Sequence, residues 1–74
     1  MEVKKKVGRL YYNADEKRYG LLCNDDWYIS GFHCGQILEI WLDGEWTPAR
    51  IEYSDDWYLV GYPDLNLQNL KARY

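Results

Sequence analysis

The chain has 74 residues, of which 28% are charged and 18% are aromatic, and its formal net charge is -3. Because domains usually begin at about 50 residues, this length leaves room for one domain and excludes a two-domain enzyme. The four Trp and eight Tyr favour strands, and no segment reaches the ~18 apolar residues of a membrane span. Composition therefore predicts a single small β domain over residues 1–74 without membrane contact.

The charges are unevenly distributed along the chain. Residues 1–20 carry a net charge of +3, residues 21–70 carry -8, and residues 71–74 carry +2. Lys and Arg that neutralise phosphates provide most non-specific affinity for nucleic acid, so the acidic body disfavours such a partner. A nucleic-acid contact would use the basic N-terminal edge, which consists of Lys4, Lys5, Lys6 and Arg9. We otherwise expect residues 1–6 to be a frayed, solubilising terminus.

The first half of the chain predicts one hairpin and one further strand. Residues 7–12 and 18–23 alternate like strands and flank a polar turn at residues 13–17. A short aromatic strand at residues 27–29 then ends at Ser30-Gly31, since Gly and Ser interrupt regular structure.

The clearest element is a hairpin around Asp43-Gly44. Residues 36–42 and 45–53 are strand-like runs, and Asp-Gly between such runs is typical of a type I′ turn, whose central residues both need positive φ. This two-residue turn fixes the register: it pairs Leu42 with Glu45, Trp41 with Trp46, Ile40 with Thr47, Glu39 with Pro48, and Leu38 with Ala49. Because opposed side chains share a face, one face of the hairpin is apolar and the other carries indoles and charges.

The two faces of this hairpin have different expected roles. The predicted core face consists of Leu38, Ile40, Leu42, Thr47, Ala49 and Ile51. The opposite face consists of Ile37, Glu39, Trp41, Trp46, Pro48 and Arg50. Pro48 cannot donate to a ladder, so the strand is expected to be bulged or at a sheet edge there.

The register of the next hairpin, around residues 54–56, stays open. A three-residue loop pairs Tyr53 with Trp57 and turns Leu59 to the core, whereas a two-residue loop turns Val60 to the core instead. Residues 63–69 lack a strand period and predict a turn, and residues 70–74 alternate as a last strand. Five or six short strands with tight turns and no crossover helix predict a small antiparallel β-barrel.

One internal similarity joins residues 24–32 and 54–62. The segments share Asp, Asp, Trp, Tyr and Gly at five of their nine positions. A polar turn that leads into an aromatic strand is a common hairpin device, so reuse of turn chemistry explains the similarity. A true duplication, or a paired acidic and aromatic site, is the alternative.

Catalytic and metal-ligating patterns are weak. Asp25-Asp26 and Asp55-Asp56 are paired acids, but adjacent strand residues point to opposite faces and Asp is common in turns. Cys23, His33 and Cys34 lack the spacing and the fourth ligand of a closed zinc site. We therefore expect a protein that is not an enzyme and that has no metal and no cofactor. Two cysteines and a charged N-terminus indicate a cytoplasmic protein with reduced thiols.

Binding is the more plausible function, and the indole face of the Asp43-Gly44 hairpin is the candidate site. Trp41, Trp46 and Arg50, with Glu39 beside them, combine large contact areas with polar groups, as interface hot spots do. Small β-barrels bind extended peptides in aromatic grooves or along sheet edges. The sequence thus predicts a module for a protein or peptide partner. Alternatively, the indoles cap one end of the barrel under the C-terminal segment.

The chain also resembles a family of short bacterial proteins classed as a domain of unknown function. The resemblance lies in residues 31–35 (Gly-Phe-His-Cys-Gly), 38–41, 43–52 and 56–61. It implies an SH3-like barrel and a bacterial, cytoplasmic protein similar to accessory proteins of conjugative and phage-like elements. It implies no activity, and its signature overlaps reactive residue types only at His33-Cys34-Gly35.

A nucleic-acid-linked accessory function is the second hypothesis. The basic edge of Lys4, Lys5, Lys6 and Arg9 would contact nucleic acid directly, or the acidic body would mimic DNA towards a DNA-binding protein. The oligomeric state stays open, because the last strand or the edge at Pro48 could pair with a second copy.

Overall fold

The structure, a computed structural model, describes residues 5–74 and contains seven strands. They are β1 (Val7–Asn13), β2 (Arg18–Cys23), β3 (Asp26–Ile29), β4 (Ile37–Leu42), β5 (Glu45–Ser54), β6 (Asp56–Leu59) and β7 (Lys71–Arg73). Their order in the sheet is β3-β2-β1-β7-β4-β5-β6, and all neighbours are antiparallel. The predicted all-β antiparallel fold is confirmed, with seven strands where five or six were expected.

The edge strand β6 approaches the β1–β2 hairpin on the far side of the sheet. Strands β3 and β6 are the edges, and within residues 5–74 no ladder joins them. The Trp57 indole on β6 nevertheless donates to the carbonyl of Lys17, in the turn that precedes β2 (Nε1 to O, 3.3 Å). The sheet therefore curls around its core without closing into a hydrogen-bonded barrel. No helix that could cross a membrane occurs in the described residues.

The Asp43-Gly44 hairpin has the predicted register at every pair, from Leu42 opposite Glu45 to Leu38 opposite Ala49. Asp43 and Gly44 have φ values of 51° and 80°, as a type I′ turn requires. Pairing of β5 with β6 involves only Ile51–Ser54. Pro48 thus lies where β5 has a strand on one side alone, which is the edge position expected for a residue without an N–H.

The second hairpin has the register of the three-residue loop. Tyr53 lies opposite Trp57, and Asp55 has a φ of 65° at the turn. Leu59 is consequently buried in the core, whereas Val60 is 39% exposed. The length of this turn therefore determines that Leu59, and not Val60, is buried.

The similar segments found in the sequence occupy corresponding places. They form β3 and β6, the two edge strands, and each follows a turn in which Asp25 or Asp55 adopts a positive φ. In each Asp-Asp pair, the first residue therefore lies in the turn and the second begins the strand that follows. Within residues 5–74, no cluster of three His, Cys, Asp or Glu could hold a metal ion.

One core cluster fills the inside of the sheet. It consists of Leu10, Leu21, Phe32, Leu38, Ile40, Ala49, Ile51, Leu59, Leu67 and Ala72. Strand residues provide most of it, but Phe32 and Leu67 enter from loops. Leu67 belongs to the predicted turn segment before β7, and the neighbouring Asn69 and Leu70 bond the backbone of Leu10. The C-terminal turn thus anchors β7 between β1 and β4.

Candidate binding surface

The outer face of the sheet, meaning the side away from the core, has cations at its centre. Ala72 is fully buried, so its neighbours Lys71 and Arg73 project outwards, since side chains alternate along a strand. Strand β7 pairs with β1 on one side and β4 on the other. The basic residues Lys5 and Arg9 of the N-terminal part of the chain are therefore adjacent in space to Lys71 and Arg73.

The predicted indole pair lies beside these cations. Trp41 and Trp46 are packed edge to face, with ring centroids 5.1 Å apart. The Lys71 ammonium is 5.1 Å from the Trp41 centroid, and the Arg73 guanidinium carbon is 4.4 Å from that of Trp46. Each such cation–π contact contributes about 0.5–1 kcal/mol at an exposed site. The C-terminal strand thus contacts the indoles through charged side chains, and Trp41 remains 39% exposed.

Glu39 organises the cations next to the indole pair. Arg73 donates from Nε to Oε1 (3.1 Å) and from Nη2 to Oε2 (3.2 Å), and the Lys5 ammonium also bonds Oε1. The hydrogen bonds from Arg73, followed by that from Lys5, lower the pKa of Glu39 from its ordinary 4.5 to about 2. Glu39 therefore stays ionised, and it ties together β4, β7 and the N-terminal segment.

This pKa leads to a test of the ion pair. Because the folded pKa lies below the unfolded one, Glu39 stabilises the fold above about pH 4.5, and this contribution is lost as the pH falls towards 2. Carbon-detected NMR titration of the Glu39 carboxyl should give a midpoint near 2, which should rise towards 4.5 in Arg73→Gln. Arg50→Gln is the control and should not move the midpoint. A midpoint that is equal in wild type and Arg73→Gln would contradict the assignment.

Arg50, the predicted guanidinium of the site, lies on the outer face but away from the indoles. Its Nε pairs with Oε2 of Glu52, two residues along β5 (3.0 Å). The cations that contact the indoles are Lys71 and Arg73 instead. Sequence reasoning missed both, although Lys71-Ala72-Arg73 has the alternation that places two cations on one face.

An apolar groove continues from the ion pair towards the other end of β4. It has a volume of about 500 Å³, and its wall includes Ile37 and Pro48 together with Lys5, Glu39 and Arg73. Ile37 is 62% exposed, which is high for so large an aliphatic side chain. The groove lies beside the part of β5 that has no strand on its outer side. Indoles, ion pair, groove and strand edge therefore form one continuous surface.

A second aromatic cluster lies on the outer face, near the opposite edge of the sheet. Tyr11 and Trp27 are packed edge to face at 6.3 Å, and the Arg9 guanidinium carbon is 5.6 Å from the Tyr11 centroid. Arg9 also bonds Asn69 (Nε to Oδ1, 3.1 Å) and pairs with Asp25 (Nη2 to Oδ1, 3.4 Å). Trp27 is 40% exposed, as much as Trp41.

The residues of the predicted basic edge separate in the structure. Lys4 lies outside the described residues. Lys5 and Arg9 are on the outer face, whereas the Lys6 ammonium sits 5.0 Å from the centroid of Tyr28. The Lys6 backbone exchanges hydrogen bonds with Tyr74 (3.0 and 3.1 Å). Lys5 and Lys6, assigned to a frayed terminus from the sequence, are thus tied to the fold.

The His33-Cys34-Gly35 segment forms a loop beside β5. Arg18 donates from Nη1 to Nδ1 of His33 (2.9 Å), and the Gly35 amide donates to the Ile51 carbonyl (2.9 Å). Cys34 is exposed and Cys23 is half-buried, and neither forms a disulfide. The hydrogen bonds of this segment hold a loop in place, and they do not bring the two thiols to one site.

Comparison with known proteins gives a family and a structural relative. The family model described as "Domain of unknown function (DUF5348)" matches residues 8–74. A crystal structure of a protein from Ruminococcus gnavus, a structural-genomics target, is similar with a TM-score of 0.80 and 36% sequence identity, over 93% of this chain and 100% of that one. Among curated proteins nothing matches. Since the family model spans nearly all of the chain, this protein belongs to the DUF5348 family.

Proposed function

We propose that this protein is a non-enzymatic binding module, and that its outer face at β7, β4 and β5 recognises a segment of a protein partner. The supporting observation is the exposure of Trp41 and Ile37 on one surface, with a fixed ion pair between the indoles and the groove. Exposed aromatic and aliphatic side chains around fixed polar groups are typical of peptide-binding surfaces.

The arrangement suits an extended peptide. Its apolar side chain would enter the groove between Ile37 and Pro48, and a second side chain would pack on the indole pair. Backbone groups of the peptide could pair with the open edge of β5, as in other peptide complexes that add a strand. Lys71 and Arg73 would favour an acidic residue in the peptide, because they place positive charge beside the indoles on which the peptide would pack. An SH3-like architecture, a bacterial cytoplasmic location and a link to mobile elements stay predictions.

A displayed random peptide library tests this function. We expect wild type to enrich peptides that share an apolar and an acidic residue, and Trp41→Ala to weaken their binding by about 2 kcal/mol or more, as removal of a hot-spot residue does. Trp27→Ala is a matched control, because Trp27 and Trp41 are equally exposed but lie at different edges of the face. Failure to enrich any peptide, or equal weakening by both variants, would count against the proposal.

A further inference from the structure

A row of side chains crosses the outer face from β3 to β5 through six neighbouring strands. Directly opposed residues place Trp27 beside Leu22, Leu22 beside Arg9, and Arg9 beside Lys71. The β4–β7 register then brings Trp41 beside Lys71, and Trp41 lies opposite Trp46. The row consequently has aromatic rings at both ends and two cations in the middle.

The surface along this row is positively charged although the chain is acidic. Lys5, Arg9, Lys71 and Arg73 are its cations, and Glu39 and Asp25 are carboxylates that already pair with them. Lys71 is exposed, and within residues 5–74 no carboxylate lies within ion-pair distance of it. The face thus has a net charge of about +2. The overall composition, which is acidic, does not reveal this charge, because its cations come from distant parts of the sequence that meet only where β1 pairs with β7.

We propose that this row binds single-stranded nucleic acid. The bases would stack on Tyr11 and Trp27 at one end and on Trp41 and Trp46 at the other, and the phosphates would contact Arg9, Lys71 and Arg73. Proteins that bind single strands combine cations along the backbone with aromatic rings for the bases. Because neighbouring strands are about 4.8 Å apart, five steps span about 24 Å. This length suits about four nucleotides, the lower end of known site sizes.

The row favours a single strand over a duplex and over a peptide. The described outer face presents flat rings within a sheet, and such rings stack only on bases that are not already paired in a duplex. A peptide could use the indole end, but it would gain nothing from the second aromatic cluster at Trp27. This proposal therefore goes beyond the peptide function, since it needs both ends of the row.

Fluorescence anisotropy with a labelled oligothymidylate of about 12 nucleotides tests the proposal across a series of salt concentrations. With three phosphate contacts, the slope of log K against log salt should be about -2 for wild type and about -1.4 for Lys71→Gln. Trp27→Ala should weaken binding about tenfold, because one stacking platform is lost. Lys17→Gln, which removes an exposed cation of the β1–β2 turn, is the control and should leave affinity and slope unchanged.

Three results would overturn the nucleic-acid proposal. They are absence of salt-dependent binding, equal affinity of wild type and Trp27→Ala, and equally tight binding of a glutamate-rich peptide that depends on the same residues. Ile37→Ser separates this proposal from the peptide function: it should weaken peptide binding at the groove and leave oligothymidylate binding unchanged. Loss of both activities in Ile37→Ser would show that the row does not act separately from the groove.

Discussion

A Phe32→Ala variant is expected to lose about 3–5 kcal/mol of unfolding free energy, the usual cost of removing a buried Phe side chain. A domain of this length has a total stability of about 4–11 kcal/mol, so the variant should lose a large share of its stability and unfold at a much lower denaturant concentration. The reason lies in the position of Phe32, which is fully buried although it belongs to the loop between β3 and β4.

Several contacts converge on this side chain and its backbone. The Phe32 ring packs edge to face on Tyr74, with centroids 5.3 Å apart. Its amide donates to the Tyr19 carbonyl (2.8 Å), and its carbonyl accepts from Arg18 Nη1 (3.2 Å). The ring therefore joins the loop to the last residue of the chain, while the backbone joins it to β2. Alanine would leave a cavity between the loop, β2 and Tyr74.

Urea unfolding followed by tryptophan fluorescence measures this effect. Val60→Ala is the control, because Val60 is 39% exposed and its truncation should change the unfolding free energy by about 0.5 kcal/mol or less. A Phe32→Ala midpoint equal to that of Val60→Ala would show that the loop contributes little to the core.

Local patterns in the sequence predicted the hairpins because turn length and strand parity are fixed within about a dozen residues. Asp43-Gly44 determined which side of the hairpin is buried, and hence the exposure of Trp41. The contacts of the indoles could not be predicted in the same way. Lys71 reaches Trp41 only because β7 pairs with β4, across a long stretch of chain, and no local signal specifies that neighbour.

The same reasoning explains why the partner of Arg50 and the burial of Phe32 could not be predicted from the sequence. Arg50 lies on the same face as Trp46, as the alternation of side chains along β5 predicts. Its guanidinium, however, binds the carboxylate of Glu52 (3.0 Å). Phe32 stands between Gly31 and His33, where no strand period marks it as part of the core. The position of a residue along a strand determines on which face of the sheet its side chain lies. The residue that this side chain contacts depends instead on tertiary packing.

A Gly8→Ala variant is expected to lose about 3 kcal/mol of unfolding free energy, and with it the continuity of the row between Arg9 and Leu22. A methyl group at position 8 would lie 2.0 Å from the Leu22 carbonyl oxygen and 2.8 Å from the Cys23 sulfur. Since the closest atom belongs to the backbone, a rotamer change cannot relieve the clash, and β1 must move away from β2. Overpacking of this kind costs about 1–3 kcal/mol, and sometimes more.

Chemical denaturation and amide NMR test this together, with Val7→Ala as the control. Val7 is the neighbouring residue on β1 and is 50% exposed, so its truncation leaves the approach of the two strands intact. We expect Gly8→Ala alone to shift the amide signals of Leu22 and Cys23 and to weaken oligothymidylate binding, because displacement of β1 moves Arg9 away from the aromatic cluster at Trp27. If Gly8→Ala unfolded at the wild-type denaturant concentration, β1 and β2 could not be as close as the structure has them. The close approach of the β1 and β2 backbones at Gly8 would then not explain why the cations and rings are aligned across the sheet.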